Sequence, residues 1–98
     1  MRRAARVDDN QKEIVTALRK VGATVRVITQ GDGLPDLLVG FRGRTVLMEV
    51  KDGGKVPSAQ ELTEAEQKFH DEWRGGSLVV VNSVEAALQS LRPAGGGQ

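Results

Sequence analysis

The chain has 98 residues, with fourteen Lys and Arg against thirteen Asp and Glu and a formal net charge of +1. That length makes one domain with a single core, and the near-neutral balance does not by itself announce a polyanion partner. The absence of cysteine excludes a disulfide framework, thiolate zinc sites and a Cys nucleophile; no apolar run reaches the roughly 18 residues of a membrane span, and Met1-Arg2-Arg3 lacks the apolar segment of a secretory signal. These features predict a soluble protein of a reducing, cytoplasmic compartment with no membrane partner.

From Asp9 the residues Ile14, Ala17, Leu18 and Val21 recur at helical spacing, with Asp8 or Asp9 available as a cap and Gly22 as a stop. Thr24 to Ile28 alternates with a β-branched bias and reads as a strand. Gln30-Gly-Asp-Gly33 breaks that pattern. Leu37 to Phe41 and Thr45 to Val50 are two more strands, and Lys51 to Gln60, with two glycines and a proline, is a loop.

Thr63 stands three residues before Glu66, a capping-box spacing, and opens a helix with Ala65, Phe69 and Trp73 near one face. Helical spacing favours core or a dimer contact over base stacking for the two aromatics. Gly75-Gly76 ends this helix. Leu78 to Val81 reads as a strand covered on both sides, and Ser83 caps a last helix carrying Val84, Ala87, Leu88 and Leu91. The order α-β-β-β-α-β-α predicts an α/β fold, a mixed four-stranded sheet flanked by helices. Residues 1–92 form the single domain and 93–98 a flexible tail.

Charges interrupt the second and third strands at Asp36 and at Glu49-Val50-Lys51. A hairpin turning at Arg42-Gly43 pairs Gly40 with Thr45, Leu38 with Leu47 and Asp36 with Glu49. The two carboxylates become cross-strand neighbours with Cβ atoms about 4.5–5.5 Å apart, where like charges repel unless a cation neutralises them. Alternation puts Lys51 on the same face and turns Leu37, Val39, Val46, Met48 and Val50 to the other. Mg²⁺, with Mn²⁺ as a substitute, suits two hard oxygen ligands that leave room for water and phosphate. Such an ion polarises a phosphate and orients water, while Lys51 stabilises developing charge. The spacing leaves a second reading open, a turn-forming Asp and a solvated Glu-x-Lys; Leu38 and Leu47 on the same face favour a site.

With Pro35-Asp36 as one half of the signature and Glu49-Val50-Lys51 as the other, the chain resembles the PD-(D/E)XK nuclease superfamily. Size and element order are most similar to its VRR-NUC (virus-type replication-repair nuclease) group and the related Holliday-junction resolvases, over about Asn10 to Leu91. The resemblance implies a restriction-endonuclease-like core and a divalent-metal phosphodiesterase. Asp36 and Glu49 would bind metal, the Val50 carbonyl would complete the coordination, and Lys51 would assist the water. Gln67 matches a polar helix position beside the site in such relatives. An acid from the first helix is also implied, for which Glu13 is the candidate, with a plain helix-surface charge as its other reading; Asn10 and Gln11 occupy positions where some relatives carry that acid. His70 reads as a helix-surface residue, since Lys51 and metal already supply what a general base would.

Arg42, Arg44, Lys55, Arg3 and Arg6 can hold DNA phosphates, which steers by charge and duplex shape rather than by base readout. The expected function is therefore an Mg²⁺-dependent DNA endonuclease acting on branched DNA such as a four-way junction. A two-fold homodimer would bury more surface and present two sites to two strands. By analogy with the family, the setting is DNA recombination and repair, with a phage origin. The rival readings are a catalytically silent DNA-binding module and a nicking subunit of a larger machine.

Overall fold

The structure is a computed structural model that describes the backbone of residues 3–92 and the side chains of residues 10–92. The expected tail, 93–98, and the side chains of Arg3 and Arg6 lie outside the described residues. Helix α1 runs Arg3–Lys20. It starts well before Asp9 because Ala4, Ala5 and Arg6 are strong helix formers, so Asp8 and Asp9 lie inside the helix and do not cap it. Its end is a glycine-terminated turn: Gly22, at φ +102°, donates to the Arg19 carbonyl and Ala23 to that of Leu18, both at 3.0 Å.

Four strands follow, β1 (Thr24–Val27), β2 (Leu37–Phe41), β3 (Arg44–Val50) and β4 (Ser77–Val81). They form one sheet in the order β1-β2-β3-β4, antiparallel for the first two pairings and parallel for the last. The parallel step requires a crossover. It carries a 3₁₀ turn at Pro57–Gln60, inside the stretch expected to be irregular, and helix α2 (Glu64–Glu72). Helix α3 (Val84–Gln89) is the last element among the described residues, capped by Ser83, whose hydroxyl accepts from the Ala86 amide. The expected element order and mixed sheet are both present.

One sheet face meets α1 and α3. Ile14 and Leu18 pack there against Val25, Leu37, Val39, Val46 and Met48, with Val81, Ala87 and Leu91 completing the cluster. The large side chains of Ile14, Leu18, Leu37, Val39, Val46 and Met48 have no exposed surface, and burial of each contributes about 1.5–3 kcal/mol. This is the face to which strand alternation assigns the odd residues of β2 and the even residues of β3.

The hairpin register is the expected one, with Leu38 opposite Leu47, Gly40 opposite Thr45 and Phe41 opposite Arg44 closing a two-residue turn. Arg42 and Gly43 both have positive φ, +49° and +80°, the backbone that a tight hairpin turn of right-handed twist demands. The Arg42 guanidinium folds back over the Phe41 ring, 5.1 Å from its centroid.

Two expectations fail on the second face. β4 is an edge strand and is not covered on both sides: Val81 is 3 % exposed but Val80 is 45 %. Phe69 and Trp73 are not core either, which leaves the dimer contact of their two expected placements. No residue of α2 is buried, and the two rings stack on each other at 5.4 Å. The Trp73 indole turns back over Gly75, where a Cβ would lie 2.3 Å from the ring, and its N–H donates to the Gly76 carbonyl at 2.8 Å. The helix ends at Glu72 with Trp73 in extended backbone, so the glycine pair lies beyond its end and seats the capping aromatic.

Candidate active site

Asp36 and Glu49 approach where β2 begins and β3 ends. Asp36 stands one residue outside the last paired position, Leu37 opposite Met48. It is oriented from both sides: Oδ2 accepts from the Val50 amide at 2.8 Å and Oδ1 from the Thr29 hydroxyl at 2.9 Å. Its own carbonyl accepts from the Ile28 amide at 2.8 Å, which holds the Asp36 backbone to the end of β1. The rigid entry Gly33-Leu-Pro35 delivers it, with Pro35 fully buried.

Glu49 projects from the second face, opposite to the core, yet is only 3 % exposed. Its Oε1 is buried without a hydrogen-bond partner in the described residues. Burial, reinforced by the neighbouring Asp36 carboxylate and by Glu66, pushes its pKa up to about 9. At neutral pH and without a cation, this carboxyl is protonated.

Lys51 is pinned at three points. Its amide donates to the Val81 carbonyl at 2.9 Å, its carbonyl accepts from Asn10 Nδ2 at 2.8 Å, and its ammonium meets Glu66 Oε1 at 2.8 Å. The ammonium lies farther from Glu49, 3.8 Å from Oε2. The closer contact goes to the acid that keeps its charge. Burial pushes the Glu66 carboxyl up, but the Lys51 ammonium and the Thr63 amide outweigh that effect and leave it below its ordinary value.

The other expected site residues are elsewhere. Gln67, one residue beyond Glu66, is exposed and donates to Asp71 Oδ1 at 2.9 Å. Glu13 is exposed on α1, one turn beyond Asn10, in a groove with Asp52, Gly54 and Asn82. Lys55 is exposed in the loop after Lys51, its carbonyl held by Gln60. His70 is half-buried, its Nδ1 3.0 Å from the Glu66 carbonyl within the same helix. Arg42 and Arg44 sit at the far end of the hairpin; five residues along β3 separate Arg44 from Glu49, about 17 Å. Arg44 also donates to the Leu91 carbonyl, tying the turn to the end of α3.

Glu66 and Asn10 were not singled out by sequence reasoning as contacts of the site. The capping-box spacing accounted for Glu66 as a helix-end residue and left its second partner unread. For Asn10, the only signal was its place on the first helix near the position of an implied acid.

The four-stranded mixed sheet, with an acid pair and a lysine where β3 ends, is the arrangement that the resemblance to PD-(D/E)XK nucleases implies. Among solved structures the chain is similar to a VRR_NUC domain, with a TM-score of 0.66 and 27% sequence identity over 86% of this chain and 91% of that one. This likeness bears out the resemblance to the VRR-NUC group and supports a nuclease. No family model and no curated protein matches the chain.

Proposed function

We propose that this protein is a divalent-metal-dependent DNA endonuclease that hydrolyses phosphodiester bonds in branched DNA and acts as a homodimer. The observation that carries the proposal is the buried, unpartnered Glu49 Oε1 beside the Asp36 carboxylate. A buried carboxyl next to a second carboxylate carries its charge only at a cost unless a cation joins the pair. The donor chemistry fits Mg²⁺ or Mn²⁺: hard oxygens, few in number, with water and phosphate as the remaining ligands. As the resemblance implies, the protein's share would be Asp36, Glu49 and the Val50 carbonyl; among the described residues no three acid or histidine side chains gather as cation ligands. Bound there, the ion would polarise a phosphate and lower the pKa of water.

The chain's own residues do the rest. Asp36, fixed by Val50 and Thr29, keeps its oxygens aimed while substrate enters. Lys51 offers ammonium hydrogens to a phosphate oxygen as the water oxygen bonds to phosphorus, the P–O ester bond breaks and the departing oxygen takes up a proton. Arg44, about 17 Å away along β3, lies near half a duplex turn from the reacting phosphate, and with Arg42 in the adjoining turn it suits backbone contacts there. The exposed Leu38 and Val80 are apolar surface that pairing of two copies would cover.

The test is incubation of the purified protein with single-stranded, duplex, flap, splayed and four-way DNA, with and without Mg²⁺. The expected result is metal-dependent cutting strongest on branched DNA, abolished by Asp36→Ala and Lys51→Ala with DNA affinity largely kept. Unchanged cutting by those variants sinks the assigned site. A protein that stays monomeric on junction DNA sinks paired cutting.

A further inference from the structure

We infer that Glu66 is the positioning residue for Lys51, holding its ammonium beside Glu49 from a helix that otherwise contributes nothing to the core. This deepens the proposed nuclease reading and rests on it.

The contact differs in kind from an ordinary surface pair. Lys51 and Glu66 meet at 2.8 Å with side chains only 14% and 17% exposed, whereas Lys68 and Glu72, one turn apart on the same helix, meet at 3.0 Å with 72% and 65% exposure. The second pair is solvated and of the sort that stabilises a helix slightly. The first joins the crossover helix to the exit of β3, across fifteen residues of sequence.

Glu66 is itself fixed. The Oε1 that takes Lys51 also accepts from the Thr63 amide at 2.8 Å, and the Glu66 amide donates to Thr63 Oγ1 at 3.2 Å. The reciprocal box therefore locks the carboxylate in one rotamer. The first turn of α2 is seated in turn by Gly33, at φ +80°, where a Cβ would lie 2.2 Å from the Ala65 carbonyl oxygen. The loop that delivers Asp36 thus touches the residue next to Glu66. Since no α2 side chain is buried, these contacts at its first turn are what the geometry invests in.

A capping box needs only a Glu or Gln at this position; it does not need a charge turned onto a lysine. Glu66→Gln therefore separates the two roles. It keeps an acceptor for the Thr63 amide and removes the anion from Lys51.

The experiment compares wild type, Glu66→Gln and Thr63→Ala by Mg²⁺-dependent cleavage kinetics on the best DNA substrate. Alongside, NMR of the metal-free proteins follows the Lys51 ammonium signal. For Glu66→Gln we expect kcat to fall about tenfold to a hundredfold with KM unchanged, the loss of one charge-assisted contact. Its Tm stays near that of wild type, and the slowly exchanging Lys51 ammonium signal is lost. Thr63→Ala lowers Tm and leaves that signal in place. A Glu66→Gln protein that cuts at the wild-type rate, or that raises KM alone, overturns the positioning role. So does a Lys51 signal that is indifferent to the substitution. Failure of the wild type to cut any DNA is a distinct result that overturns the nuclease reading itself, while the NMR comparison still reports on the contact.

Discussion

The Val50 amide donates to Asp36 Oδ2 at 2.8 Å, so the acid before β2 is aimed by the backbone of the residue that follows Glu49. One side chain thereby fixes the distance between two chain segments and the direction of a carboxylate. Asp36→Asn tests the division. The amide oxygen can still accept from Val50, and Thr29 can turn its hydroxyl to accept, so Tm should change little. Cutting should fall at least about a hundredfold because a neutral amide is a poor partner for a hard cation. Thermal melts with and without Mg²⁺, read beside cleavage rates, check both halves.

Glu49 makes stability depend on pH in a definite direction. Its folded-state pKa of about 9 lies above the ordinary 4.5, so the folded chain holds more protons than the unfolded one between those values. Its contribution is full below about pH 4.5 and is lost progressively as pH rises to about 9. Denaturant melts of chelator-treated protein should show this decline, and Glu49→Gln should flatten it.

Cation binding draws on the same proton. At pH 7 an ion that ligates Glu49 must displace it, so Mg²⁺ affinity should rise with pH and binding should release protons. Calorimetry in two buffers of different ionisation enthalpy measures the release. Equal heats in both would contradict the assignment of Glu49 as a ligand.

Gly33→Ala should damage fold and activity together. The new Cβ would sit 2.2 Å from the Ala65 carbonyl oxygen, on a residue already at positive φ. The expected loss exceeds about 1 kcal/mol. It should come with reduced cutting, because the first turn of α2 must shift and carries Glu66 with it. Denaturant melts and kcat on the same preparation are the measurement.

Arg42→Asn should stabilise. Arg42 adopts φ +49°, which asparagine tolerates far better, and an Asn-Gly pair is the favoured sequence for this turn. A gain of about 0.5–1 kcal/mol is expected, reduced by the lost stacking on Phe41. If Arg42 holds a phosphate, the salt dependence of DNA binding becomes shallower in the same variant.

Much of this arrangement is written locally and was legible. The hairpin register followed from one glycine-marked turn and the alternation of Val39, Val46 and Met48, and it carried Asp36 toward Glu49 without further information. The start of α1 was missed because apolar periodicity begins later than good helix propensity does. Edge status of β4 was missed because Leu78 to Val81 is equally apolar on both sides, which a buried strand and an edge strand can share. The resemblance pointed to Gln67 and the capping-box spacing accounted for Glu66; a helix turns about 100° between neighbours, and here it is Glu66 that reaches Lys51 while Gln67 bonds Asp71. Choosing between adjacent positions needed the docking of α2, which depends on Gly33.

The lack of buried residues in α2 divides the domain into a part that bears stability and a part that is free to vary. Hydrophobic cohesion resides in α1, the sheet and α3, so the exposed positions of α2 (Glu64, Gln67, Lys68, Asp71 and Glu72) can be exchanged without reopening the question of whether the chain folds. Substitutions confined to those five positions should leave the scaffold constant, with Glu66 and Gly33 as the anchor points to leave untouched.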